Sequence, residues 1–157
     1  LFKDLIKEFP YMKNICLSNF KNYMDIFNTI NYVESNVDYN LFCEYNKENE
    51  DRKSLSKFFV LCSNYDIIER NEIINIIINF ILKIEDLITQ ENKVNHVDEI
   101  VQNLKIIIEN FDSSYKNLDK YLVIKNKISY LSELNVKNYS SFTNKILFNL
   151  FDIQDIL

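Results

Sequence analysis

The chain has 157 residues and a formal net charge of −5; 47 % of it is hydrophobic, 26 % charged, with 1 Pro, 0 Gly, 0 Trp and no alanine. That balance suits one globular domain with a sizeable core and excludes a disordered chain. The lack of glycine also excludes phosphate-cradling loops and dinucleotide fingerprints, where backbone must approach the ligand closely.

Asn, Ile, Lys, Phe and Tyr fill the gap. All five have A/T-rich codons, so the composition predicts an A/T-biased genome, such as a parasite's or a large DNA virus's, and Asn and Ile enrichment is no evidence of function. Left-handed turn and helix-end positions must fall to Asn or Asp. Cys16, Cys43 and Cys62 form no C-x-x-C pair, which predicts three small half-buried hydrophobes in a reducing, cytoplasmic setting rather than a disulfide framework. The start, "LFKDLIKEFP", lacks the basic end and apolar run of a leader, and the missing initiator Met suggests an excised fragment.

In chain order, 2–8 and 11–32 read as helices broken at Pro10. Residues 35–53 are polar and acidic; they predict a loop with a short helix near 41–45, "KENEDRK" (47–53) being solvated. Residues 54–64 carry Leu55, Phe58, Phe59 and Cys62 at helical spacing. In "NEIINIIINFILKIEDLITQ" (71–90) the polar residues Glu72, Asn75, Asn79, Lys83, Asp86 and Gln90 fall on one narrow stripe. A strand would alternate, and a membrane helix needs about 20 nearly uncharged residues. A mostly buried helix is therefore predicted, and no membrane span.

Residues 96–111 place Val97, Ile100, Leu104, Ile107 and Ile108 on one face, with Asn95 the expected N-cap and Asp98 and Glu99 in the first turn. Helices are expected over 115–134 (Leu118, Tyr121, Leu122, Ile128, Leu131) and 139–153 (Phe142, Ile146, Leu150, Ile153). Short polar breaks make neighbouring helices antiparallel. The expected fold is all-α, one domain over 1–157: antiparallel pairs stacked as a HEAT-like α-solenoid, or alternatively a compact helical bundle.

No catalytic constellation stands out, and no enzyme, cofactor or metal is expected. His96, the single histidine, sits in "HVDE", whose spacing spreads possible ligands around a helix and reads as a solvated first-turn cluster. Charge is more informative. Residues 113–150 hold six lysines against Asp119 and Glu133, a balance of +4, while the remainder carries −9. On a continuous 115–134 helix, Lys116, Lys120 and Lys127 would lie within about 40° of one another. With Lys137 and Lys145 they form the expected partner-binding patch, suited to an acidic protein surface or to phosphates.

Residues 54–157 also resemble the middle domain of the initiation factor 4G family, a HEAT-repeat scaffold. In "SLSKFFVLCSNYDII" (54–68), Phe58 and Phe59 stand at the aromatic and the following Ile of the family's N-I-x-F-I-G-E-L helix, and Val60 and Leu61 replace its Gly and Glu. "ERNEIINIIINFIL" and "HVDEIVQNLKIIIENF" resemble its next helices. In "SSFTNKILFNLFDIQDIL" (140–157), Ser140, Ser141, Leu147, Leu150, Asp152 and Ile153 match its closing helix, while Phe142 and Asn144 replace its arginines. The resemblance implies a non-catalytic scaffold that binds a DEAD-box RNA helicase, and secondarily RNA, in translation initiation or mRNA metabolism. The competing expectation is a viral or parasite bundle that antagonises a host signalling protein, as Bcl-2-like folds do.

Overall fold

The computed structural model describes residues 2–157. Pro10 separates α1 (Phe2–Glu8) from α2 (Tyr11–Lys21), as a residue without a backbone N–H should. The helix expected over 11–32 stops at Lys21 and passes into a 3-10 segment, Tyr23–Phe27, and an irregular stretch. The cause is tertiary. Tyr23 and Phe27 are buried, the ring of Tyr23 edge-on to Phe59 at 5.1 Å and that of Phe27 edge-on to Phe80 at 4.8 Å.

The largest departure follows. Residues 39–53 are no loop: α3 (Tyr39–Asn64) is continuous through "KENEDRK". Asp38 caps it, its side chain accepting from Leu41 N at 3.0 Å. The charges that imitate a loop pair along the helix instead, Lys53 with Glu50 at 2.8 Å and Arg52 with Glu48 at 3.9 Å. The buried line of α3 is Arg52, Ser56, Phe59, Val60 and Ser63, with Cys62 beside it, and Leu55 faces out.

In α4 (Arg70–Leu87) Glu72, Asn79 and Asp86 of the polar stripe are exposed and Asn75 and Lys83 half-buried, Gln90 lies beyond the helix end, and Leu82 is an exposed apolar exception. α5 (Val94–Glu109) begins before Asn95, which therefore lies in the first turn and does not cap. Its predicted core face is fully buried. The helix expected over 115–134 is divided: a 3-10 segment, Ser113–Asn117, precedes α6 (Tyr121–Ser132). Asp112 starts the segment by accepting from Ser114 N at 2.8 Å, and Leu122 points to solvent. After a last 3-10 segment, Val136–Asn138, α7 (Asn144–Ile156) starts later than expected. Residues before it are held by α4's end instead, Ser141 N donating to Ile88 O at 3.0 Å and Ser141 Oγ to Gln90 O at 2.6 Å.

Every element among the described residues is helical, so the fold is all-α. α3, α5 and α7 lie side by side in one row, α4 and α6 in a second, and α4 packs on α5 as α6 packs on α7. One continuous core runs between the rows. Cys16 and Cys62 are buried with their sulfurs 3.9 Å apart, joining α2 to α3, while Cys43 is exposed. Asp66 (φ 62°) and Asn92 (φ 60°) take the left-handed positions at the ends of α3 and α4, the duty expected of Asn and Asp here.

A left-handed backbone disfavours β-branched side chains most. Asn92→Val should lower the unfolding free energy by about 1–2 kcal/mol, whereas Asn92→Gly should change it by less than about 1 kcal/mol. Urea titrations of the three proteins check this.

Candidate docking surface and buried polar network

The five lysines do not share one helix face. Lys116 lies in the Ser113–Asn117 segment, Lys120 just before α6, Lys127 on α6, Lys137 in Val136–Asn138 and Lys145 on α7. The narrow arc expected for Lys116, Lys120 and Lys127 is lost because no single helix carries them. Three are engaged: Lys127 Nζ donates to both oxygens of Glu85 at 2.9 and 3.1 Å, Lys145 to Asp98 at 2.7 Å, and Lys120 to Asn75 Oδ1 at 2.9 Å. The ammonium groups of Lys116 and Lys137 are exposed.

A second feature lies where no site was expected. Arg52 on α3 and Glu99 on α5 are 6 % and 4 % exposed and face each other, Nε to Oε1 at 3.5 Å. Arg52 also donates to Asn49. Asn103 Nδ2 donates to Glu99 Oε1 at 3.0 Å, and Asn103 Oδ1 accepts from Ser56 Oγ at 2.5 Å. Ser56 also reaches Arg52 O at 3.0 Å. Since both of those partners only accept, the one Ser56 proton goes to them and Tyr23 donates to Ser56. The chain of contacts ties the Tyr23–Phe27 segment to α3 and α5. Burial pushes Glu99 above the usual carboxylate range, opposed by Asn103, Lys53 and Arg52. Burial also raises Tyr23.

His96 departs from the solvated cluster expected of it: its Nε2 meets the carbonyl of Phe27 at 2.8 Å, where Lys83 Nζ also donates at 2.7 Å. Burial lowers its pKa, the Phe27 carbonyl opposes this, and Lys83, Lys93 and Arg52 reinforce it. Two side chains, His96 and Lys83, thus close the end of the Tyr23–Phe27 segment. Among the described residues no cluster of three His, Cys, Asp or Glu is placed to hold a metal.

The sequence signal for this network was a polar residue on an apolar stripe. Asn103 falls between Ile100 and Ile107, and the α3 stripe read back from Phe59 passes through Ser56 and Arg52.

The third feature is an open groove of about 990 Å³ between α2 and α4, ending at the α3–α4 turn. Its floor mixes Leu17, Phe20 and Met24 on one side and the largely buried Ile67, Ile68 and Ile76 on the other with polar Asn14, Ser18, Asn75 and Asn79. Lys13 and Lys21 stand on the α2 wall, Glu69 and Glu72 on the α4 wall, all exposed.

Comparison with known proteins gives no match: no family model, no curated protein and no solved structure is similar to this chain.

Removing one member of a buried ion pair strands the other charge. Arg52→Met should cost about 3–5 kcal/mol near neutral pH, and Arg52→Met/Glu99→Gln should recover most of it. Without Arg52, Glu99 rises further above its unfolded pKa. Between those two values the folded chain binds more protons than the unfolded one, so stability falls as pH rises through that window. The Arg52→Met deficit should therefore shrink as pH is lowered toward the ordinary carboxylate value, and this pH dependence should vanish in the double variant. Urea unfolding across pH measures both.

Proposed function

We propose that the chain is a non-catalytic protein-binding scaffold of the kind the initiation factor 4G middle domains represent, with a DEAD-box RNA helicase as partner. The observation that carries this reading is the two-row packing of α3 to α7. Helices set side by side in two rows present helix ends and inter-helix turns along an edge, which is where such scaffolds hold a partner. The alternative is the Bcl-2-like reading, in which α5, packed against α3, α4 and α7 with Asn95 and Glu109 as its exposed residues, would be the central helix. RNA is the secondary partner in the scaffold reading. The chain's net charge of −5, and the engagement of Lys120, Lys127 and Lys145 with neighbouring side chains, both work against a phosphate-binding surface. Among the described residues no helix is long and apolar enough to cross a membrane.

Pull-down and calorimetry with an initiation-type DEAD-box helicase test the reading. The chain should bind it, and Lys116→Glu/Lys137→Glu, at the two of these five lysines free of side-chain partners, should weaken binding by roughly tenfold through lost electrostatic complementarity. Lys127→Glu should act differently, lowering thermal stability by opposing Glu85. No binding of the unmodified chain to any such helicase would sink the proposal.

A further inference from the structure

The groove between α2 and α4 carries charges of opposite sign that do not meet. Among the described residues Lys13, Lys21, Glu69 and Glu72 have no ion-pair partner. Elsewhere on the surface some opposite charges pair, as Lys105 with Asp152 at 2.6 Å and Lys53 with Glu50 at 2.8 Å. Here the groove lies between the two walls.

The dimensions suit a helix. From Lys13 to Lys21 the α2 wall runs about 12 Å and from Glu69 to Asn79 the α4 wall about 15 Å, at 1.5 Å per residue. Walls of that length match a helix of two to three turns. Two helices side by side offer the ridges between which a third packs. An extended peptide would find no strand edge here and would lay unpaired backbone groups on the floor; a helix pairs its own.

We infer that the α2–α4 groove receives an amphipathic helix from a partner protein, with acidic residues along one edge facing Lys13 and Lys21 and basic residues along the other facing Glu69 and Glu72. Its apolar stripe covers Leu17, Phe20, Met24 and Ile76. This rests on the scaffold reading for its purpose but not on the helicase, so the two stand or fall separately.

The test is selection from a phage-displayed library of randomised helical peptides about 18 residues, or five turns, long, against the full chain. Selected peptides should share an apolar i, i+3/i+4, i+7 stripe with acids on one edge and bases on the other. Lys13→Glu/Lys21→Glu makes the groove wholly acidic and Glu69→Lys/Glu72→Lys wholly basic; each should weaken these peptides by roughly tenfold, since two attractions become repulsions. The quadruple variant restores a mixed groove and should restore binding, the helix lying in the opposite direction. All four positions are exposed, but Lys21 lies in the last turn of α2 and Glu69 and Glu72 at the start of α4, so each double variant should melt slightly below the parent while staying folded. The proposal is overturned if selection yields no binder, if the binders ignore both double variants, or if the quadruple variant fails to recover them. It is overturned equally if sedimentation shows the chain pairing with itself through the groove, or if single-stranded RNA is what Lys13→Glu/Lys21→Glu releases.

Discussion

The tightest helix–helix approaches need small side chains at the contact, and this chain has neither glycine nor alanine to place there. Serine and cysteine take the duty. Ser56, Ser63, Ser132 and Ser141 are buried in the core with Cys16 and Cys62. A hydroxyl brought inside must find a hydrogen bond or cost stability. Ser132 Oγ returns its proton to Ile128 O, one turn earlier, at 2.9 Å, and Ser141 spends its own on Gln90 O. Ser56 makes the same one-turn bond, to Arg52 O at 3.0 Å, but also meets Asn103 and Tyr23 from other elements. The polar chain through Asn103, Glu99 and Arg52 follows from those contacts, and it is what fixes the Tyr23–Phe27 segment against α3 and α5.

How much of this was legible follows the same division. α4 and α5 were readable because hydrophobic periodicity alone determines them: their apolar faces are buried where the spacing put them. The all-α class followed from the same periodicity, and the use of Asn or Asp at left-handed turns, realised at Asn92 and Asp66, from composition. The first half of α3 was not legible, because Arg52 supports the core through a partner 47 positions later, and a charge run that pairs within a helix has the composition of a loop. The stop at Lys21 was hidden for the converse reason: residues 22–32 keep a helical rhythm, and only the aromatic contacts of Tyr23 and Phe27 overrule it.

The lysine patch shows the limit for a surface. Lys120, Lys127 and Lys145 share a charge balance in sequence, yet Asn75, Glu85 and Asp98 reach them from other helices. A charge count along the chain sees the cations and not the partners that the fold supplies. The reverse holds at the α2–α4 groove, where Lys13 and Lys21 were unremarkable in sequence and gain meaning only from the acids placed opposite them.

The wall of that groove also differs in how firmly it is held. Cys16 is the only buried residue of α2, and its thiol lies against Cys62, whose pKa burial pushes up to about 12. α4 by contrast buries eight residues. A helix fastened at so few points opens at a lower free energy than the body it leans on. Amide protons of α2 would then exchange through openings in which the rest of the chain takes no part, and Cys16 and Cys62 would become reactive to thiol reagents together, on the timescale of those openings. A guest helix would close the same boundary, slowing both reactions at once.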